Sequence, residues 1–316
     1  MNIQIIMNNY FKKNLVSVED IKREDVDVLF NRADEMKRLV EEKGGDERLK
    51  NKILAALFYE PSSRTFSSFI TAMQRLGGGF IPFNGMANTS VAKGETLEDT
   101  AKVFSTYADI IVFRHPEKGS SSQIARTSSV PVINAGDGIG EHPTQALLDT
   151  YTISKHFTSL NSLTIGMIGD LLNGRTVHSL AKLFVKLGIK NFIWVSPNLL
   201  KMPEEINNLV TRNGGKLVET EMLADVIGEM DVIYDTRVQK ERFTDIAVYE
   251  KLKLACVINQ DVMKKAKKTA LLMHPLPRVG EISAEVDEDP RALYFREQIR
   301  NGLYVRMALL DLILNK

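Results

Sequence analysis

The sequence predicts an α/β protein of two domains, each a mainly parallel sheet flanked by helices, with linking helices between them. Three observations predict it. Short apolar runs alternate with runs of helical period along most of the chain, the pattern of strands joined by crossover helices. That alternation pauses at a helical segment from about Pro143 to His156 and then begins again. The 316 residues also exceed one ordinary hydrophobic core.

Taken in order, Ser17 with Asp20 opens a periodic run to about Glu42. Within it Val28, Leu29, Arg32, Met36 and Leu39 recur at helical spacing, and Gly44-Gly45 ends it. Ile53 to Tyr59, Gly79 to Phe83, Asp109 to Phe113 and Val130 to Ala135 read as strands with helices between them. From Pro143 onward, Ala146, Leu147, Thr150, Tyr151 and Ile153 lie on a broad apolar face, so this segment reads as the joining helix. A second series of strands follows at Leu163 to Gly169, Asn191 to Val195, Lys216 to Val218, Asp231 to Tyr234 and Ala270 to Met273. Leu303, Met307, Leu310 and Leu314 recur at helical spacing and predict a packing helix at the C-terminus. The expected domains are 1–143, rejoined by the helix 297–316, and 144–296. No internal repeat and no low-complexity linker appears.

Lysine and arginine number 41 against 40 acids, so no net basic surplus draws the chain to nucleic acid or an anionic membrane. Any anionic ligand must be met by a local cluster of positive groups. Cys256 is the only cysteine, which excludes an internal disulfide and a site of several thiolates, and fits a reducing cytoplasm. The apolar run in Met1 to Lys13 is broken by Gln4 and Asn8 and lacks a signal-peptide core. No stretch approaches the roughly 20 apolar residues of a membrane span.

The strand Ile53 to Tyr59 leads into Glu60-Pro61-Ser62-Ser63-Arg64-Thr65, and a helical pattern with Phe66, Phe69, Ile70 and Met73 follows. Hydroxyls and an arginine thus fall at a strand-to-helix turn, where free N–H groups and the helix dipole favour an anion such as phosphate. Ser62 by itself reads more readily as a helix cap, but three hydroxyls flanking an arginine favour the anion. Arg114-His115-Pro116 follows the third strand, and ligands bind at strand C-termini in open α/β sheets. Arg114 offers several N–H donors in a fixed fork. His142-Pro143-Thr144-Gln145 stands at the mouth of the joining helix, after Gly136-Asp137-Gly138. In the second series, Gly169-Asp170-Leu171-Leu172-Asn173-Gly174-Arg175 forms another strand, turn and helix but is not the GxGxxG of dinucleotide folds. Thr236-Arg237-Val238-Gln239-Lys240-Glu241-Arg242 offers cations to a dicarboxylate.

In order and over nearly the whole chain, these motifs resemble the aspartate and ornithine carbamoyltransferase family. Phe58 to Thr65 is similar to that family's carbamoyl-phosphate signature, with Ser63 where members usually carry Thr or Gly. Ser90-Val91-Ala92-Lys93-Gly94-Glu95 looks like the loop whose serine and lysine enter the neighbouring subunit's active site in a trimer, with Thr89 as the alternative hydroxyl. The resemblance implies carbamoyl-phosphate contacts from Ser62, Ser63, Arg64, Thr65, Ser90, Arg114, His142, Gln145, Pro275 and Leu276. It implies catalytic roles for Arg64, Thr65, Lys93, Arg114 and His142. Aspartate falls to Lys93, Arg175, Arg237, Gln239 and Leu276, with the Pro275 and Leu276 carbonyls of His274-Pro275-Leu276-Pro277-Arg278 receiving its ammonium. Glu60 is implied to bridge to Arg175 and Arg242 when the domains close.

Ornithine relatives tend to have His-Cys-Leu-Pro where this chain has His-Pro-Leu-Pro, and ornithine's distal ammonium needs an acidic or carbonyl-rich pocket. The implied acceptor is therefore L-aspartate, and the implied product is N-carbamoyl-L-aspartate for de novo pyrimidine biosynthesis. Gly280 departs from the Asp usual in aspartate members. No cofactor or metal is implied, nor any nucleic-acid or membrane partner; a homotrimer is, and separate regulatory chains are left open. Two other readings stand beside this one: a carbamoyltransferase for a different amine, and a non-catalytic anion-binding protein of the same fold. A dehydrogenase lacks its glycine fingerprint.

Overall fold

Strand β1 (Ile53–Phe58) reads ILAALF with no polar alternation, which suits a strand covered on both faces. In the computed structural model, which describes residues 14–85 and 94–315, it is a central strand of a four-stranded sheet. The order is β2-β1-β3-β4, with β2 at Gly79–Asn84, β3 at Ile110–His115 and β4 at Val132–Asp137, all parallel. This sheet belongs to a compact unit that runs to Leu148 and resumes at Arg300; Asp149–Ile299 forms the second unit. Helices α1 (Arg23–Lys43), α2 (Ser63–Arg75), α3 (Leu97–Tyr107) and α4 (Ser120–Thr127) belong to the first unit. Leu57, Tyr59, Ala101, Ile111, Phe113 and Ile124 form one of its cores.

The first helical run differs from the sequence expectation. Ser17 and Asp20 do form a reciprocal cap, but it closes only a 3₁₀ turn, Val18–Asp20. Ile21 is extended, and α1 starts afresh at Arg23, where Asp25 accepts the Lys22 N–H at 2.8 Å. The cause is distant in sequence: the Glu141 carboxylate accepts the Ser17 hydroxyl (2.9 Å) and the Val18 N–H (2.7 Å), fixing that turn in place.

Helix α5 (Pro143–Ser154) contains the passage from one unit to the next, at Leu148 and Asp149. The second unit holds five parallel strands in the order β7-β6-β5-β8-β9: β5 (Thr164–Gly169), β6 (Asn191–Val195), β7 (Lys216–Thr220), β8 (Val232–Thr236) and β9 (Leu271–Met273). Helices α6 (Arg175–Lys186), α7 (Glu204–Arg212), α8 (Ile246–Leu252) and α9 (Gln260–Lys265) accompany them. Each strand read from the sequence is present. Both sheets change winding direction once, between β1 and β3 and between β5 and β8. Ligands in open α/β sheets lie outside the strand carboxyl ends at such points.

Helix α10 (Ile299–Leu314) returns the chain to the first unit. Its buried Asp311 pairs with Arg32 of α1 and, at 3.2 Å, with Arg48. Arg306 donates to Ser68 Oγ at 3.1 Å and lies over the Phe69 ring, so α10 braces the helix that starts at Ser63. Among the described residues no helix is long and apolar enough to cross a membrane.

Candidate active site

Three adjacent strand ends of the first unit carry the sequence-predicted anion groups. Ser62 takes the N-cap position of α2, yet its side chain makes no capping hydrogen bond, and the first turn holds no acidic residue. Its hydroxyl is therefore not committed to the helix. The first intrahelical bond runs from the Phe66 N–H to the Ser62 carbonyl (3.3 Å), so the N–H groups of Ser63, Arg64 and Thr65 precede the helical ladder. Thr65 is buried; Ser63 and Arg64 are exposed. Arg114 lies opposite Phe58 in the sheet register, and its carbonyl accepts the Tyr59 N–H at 2.8 Å. Its guanidinium donates to the Ala135 carbonyl (3.3 Å), with Nε 3.3 Å from Glu60 Oε2.

The loop ahead of His142 is held by Asp137, which accepts N–H groups of Gly119 (2.8 Å) and Glu141 (2.7 Å) and the Asn134 amide (3.1 Å). Gly138, at φ 53°, sits so close that a Cβ there would lie 2.4 Å from the Pro116 carbonyl oxygen. Only glycine lets the two loops meet. His142 is 4% exposed, with Nδ1 3.4 Å from the buried Thr144 hydroxyl. When that hydroxyl donates, the ring proton resides on Nε2, leaving Nε2–H as a donor. Gln145 is buried one turn further on. Burial lowers the His115 pKa against the pull of Glu117, Glu60 and Asp137, so this neighbour stays neutral more readily than an exposed histidine. Ser90, Thr89 and Lys93 lie outside the described residues.

In the second unit the corresponding strand ends are those of β5, β8 and β9. Gly169 adopts φ 101°, and a Cβ there would meet the Thr236 carbonyl oxygen at 2.0 Å. Asp170, fully buried, accepts the Asn173 N–H (3.0 Å), the Asn173 amide (3.1 Å) and the Gln239 N–H (3.3 Å). It thereby ties the turn that delivers Arg175, the first residue of α6, to the turn after Arg237. Burial raises the Asp170 pKa, opposed by those bonds and by Arg237. Arg237 itself makes a two-pronged pair with Glu241, at 3.0 Å (Nη1 to Oε2) and 2.5 Å (Nη2 to Oε1). That pair raises the Arg237 pKa and lowers that of Glu241. Gln239 is half-buried, and Arg242 is exposed on a 3₁₀ turn, Lys240–Arg242.

Three N–H groups of the loop after β9 are bonded within the second unit. His274 N–H donates to Gln298 Oε1 (3.0 Å), Leu276 N–H to His274 Nδ1 (2.8 Å) and Val279 N–H to Glu281 Oε2 (2.9 Å). His274 Nε2 lies 2.8 Å from Glu281 Oε1. Burial pushes the Glu281 pKa up, but His274 and the backbone donors outweigh it and hold the carboxyl below its usual range. Pro275 and Pro277 have no N–H. The loop's Pro275 and Pro277 therefore contribute carbonyl acceptors and no backbone donor.

Sequence reasoning did not single out Asp137, Asp170, Glu241, Glu281 or Gln298 for a role. Asp170 had a signal, standing directly after a strand-ending glycine. Glu241 had another, four residues beyond Arg237. Cys256 is mostly buried, and desolvation pushes its thiol up to about 12, so it is not an activated nucleophile. Among the described residues, no three His, Cys, Asp or Glu side chains converge as a metal site would require.

Comparison with known proteins covers both units. The model of the aspartate/ornithine carbamoyltransferase carbamoyl-P binding domain matches residues 13–155, and that of the Asp/Orn binding domain matches residues 161–313. The aspartate carbamoyltransferase catalytic subunit of Thermococcus kodakarensis is 47% identical over 302 residues, 96% of this chain and 97% of the relative. A stretch 47% identical over 306 residues, 97% of this chain, makes up 14% of the multifunctional protein pyr1-3 of Dictyostelium discoideum. The solved aspartate transcarbamoylase of Trypanosoma cruzi in complex with carbamoyl phosphate and aspartate is 41% identical. It superposes with a TM-score of 0.90 over 96% of this chain and 97% of that one.

Proposed function

The chain belongs to the aspartate/ornithine carbamoyltransferase family, and from that premise we infer that it transfers the carbamoyl group of carbamoyl phosphate to L-aspartate. The products are N-carbamoyl-L-aspartate and phosphate, a step of pyrimidine biosynthesis. One observation carries the choice of acceptor: Arg237 already grips a carboxylate, that of Glu241, with both prongs of its fork. With Arg175, Arg237 and Gln239 the second unit offers groups for two carboxylates, which aspartate carries and ornithine does not.

The residue roles follow from the chemistry each position offers. Ser62, Ser63, Arg64 and Thr65 hold the phosphate at the start of α2, with Lys93 and Ser90 added from a neighbouring subunit. Arg114, His142 and Thr65 donate to the carbamoyl oxygen, and Gln145, Pro275 and Leu276 accept from the carbamoyl NH2. Arg175, Arg237, Gln239 and Lys93 take the carboxylates of aspartate, and the Pro275 and Leu276 carbonyls also receive its amino group. The neutral amine attacks the carbamoyl carbon, the bond from that carbon to the phosphate oxygen breaks, and the departing phosphate receives the amine proton. Donors fixed in advance around the developing oxyanion commonly contribute the largest share of such a rate enhancement, and juxtaposition of the reactants supplies much of the rest.

The working assembly in this reading is a cytoplasmic homotrimer with shared active sites. Its support is the resemblance of Ser90-Val91-Ala92-Lys93-Gly94-Glu95 to the family's intersubunit loop. The test is formation of carbamoyl aspartate by the purified protein, with Arg64→Ala as control. The parent is expected to turn over, and the variant to lose on the order of 10²–10³ in kcat/KM for carbamoyl phosphate, the scale of truncating one partner of a hydrogen-bonded charge pair. Equal turnover in the two, or none in the parent, would overturn the assignment.

A further inference from the structure

We propose that Gln298 is a positioning residue for the acceptor end of the site, acting through the backbone of His274. The inference rests on the reading above, in which the Pro275 and Leu276 carbonyls face the amine.

Gln298 is 2% exposed, and both ends of its amide are engaged. Oε1 accepts the His274 N–H at 3.0 Å, while Nε2 donates to Asp149 Oδ1 at 2.6 Å. The other oxygen of Asp149 accepts the Tyr234 hydroxyl at 2.7 Å, and Asp149 and Tyr234 are both fully buried. A carboxylate on one side and a backbone N–H on the other leave the amide a single orientation. Tyr234 stands beside Met273 in the register of β8 and β9, and His274 follows Met273 directly. The relay therefore begins on one strand and ends at the loop leaving its neighbour.

Gln298 reaches this position through a local irregularity. Residues Tyr294–Gln298 form a π-turn, in which the Gln298 N–H bonds the Leu293 carbonyl at 3.0 Å, five residues back. The Glu297 N–H shares that carbonyl at 2.9 Å. The turn thus accommodates one residue more than an α-helix would before α10 begins. Each residue of an α-helix advances about 100° around the axis, so without the extra one a different side chain would face His274. Single π-turns are rare and recur at functional positions.

The loop needs this restraint. Leu276 adopts φ 58°, a left-handed conformation that a branched side chain holds only where its surroundings over-determine it. The Gln298 bond pins the loop's first N–H, that of His274; His274 Nδ1 pins that of Leu276, and Glu281 that of Val279. Loss of the first pin lets Leu276 relax and turns the two carbonyls off line.

The test uses steady-state kinetics and amide hydrogen exchange on the full chain. Gln298→Leu removes both bonds at similar volume. It should raise KM for aspartate about tenfold, the scale of a buried hydrogen bond linked to a charge, and KM for carbamoyl phosphate, which the cradle at Ser62 to Thr65 also holds, by a smaller factor. The double variant Asp149→Asn/Gln298→Glu exchanges amide and carboxylate while preserving all three bonds. It should restore the aspartate KM that each single change raises. Exchange at the His274 and Leu276 amides should quicken in Gln298→Leu and recover in the double variant. A merely structural role would lower Tm in Gln298→Leu and leave the aspartate KM of the folded enzyme at the parent value, which overturns the proposal. Unchanged exchange overturns it even if the parent makes no carbamoyl aspartate, a result that would separately defeat the functional reading.

Discussion

The two anion-reading regions handle charge in different ways. At the start of α2 the donors are largely backbone N–H groups and hydroxyls, and no acid stands in the first helical turn. Around β5 and β8 the donors are arginine side chains set among acids. Glu241 grips Arg237, Asp170 ties the two turns together from below, and Asp235 and Glu281 are buried nearby. Backbone dipoles cannot follow a counter-ion and need no reorganisation when a phosphate arrives. An arginine that already holds a carboxylate must release it before accepting another. The start of α2 is thus preorganised, whereas Arg237, like Arg114 beside Glu60 at 3.3 Å, already has an acid partner and must exchange it.

The most severe way to break that comparison is to remove one cation from each region. Arg237→Ala should raise KM for aspartate about 100-fold, or about 3 kcal/mol, the scale of truncating one partner of a hydrogen-bonded charge pair. KM for carbamoyl phosphate should stay within about twofold. Arg64→Ala should show the reverse ordering of the two KM values. If both variants raise both KM values alike in initial-rate assays, the regions do not divide the substrates as described.

How much of this was legible beforehand depended on how local each cause is. The strands were legible because parallel strands covered on both faces read as unbroken apolar runs, as ILAALF does in β1. The cradle was legible because its hydroxyls and arginine are consecutive at a strand-to-helix turn. Whether Ser62 caps its helix was not, since both outcomes use the same residue; only its geometry shows the hydroxyl uncommitted. The break at Ile21 was invisible because Glu141, far along the chain, dictates it. Gln298 was invisible for a related reason: its direction depends on a π-turn, and the 3.6-residue periodicity used to read helices cannot register an extra residue. Contacts made across the sheet ends, such as Asp170 to Gln239, leave no spacing to detect.

A second, smaller effect tests the acids of the second unit. Asp235 is fully buried, and neither carboxyl oxygen has a well-formed hydrogen bond among the described residues. Burial first, and Glu281 second, push its pKa well above the usual range. A carboxyl raised in the folded state favours folding while protonated. That contribution is complete below the unfolded value of about 3.9 and is lost as pH rises through the raised value. Asp235→Asn imitates the protonated form at every pH. Its Tm should therefore fall less than the parent's as pH rises above about 4, each ~1 kcal/mol recovered showing as ~2–4 °C. Parallel Tm profiles for the two proteins would mean that Asp235 carries no such cost.

The smallest effect bears most directly on the exchange of partners. The Glu241 carboxylate is about half exposed, and exposed ion pairs contribute only ~0.2–1 kcal/mol. Its removal should therefore change stability little. Its competition with an incoming carboxylate is on the same scale, so Glu241→Gln should lower KM for aspartate by a factor of roughly 1.5 to 5. High salt, which screens exposed pairs, should shrink the difference between variant and parent. The cradle has no equivalent acid in its helical turn, so KM for carbamoyl phosphate should not move. A rise in the aspartate KM would instead make Glu241 a support that aims the Arg237 fork. The acceptor end would then be as preorganised as the start of α2, and the contrast between the two regions would fail.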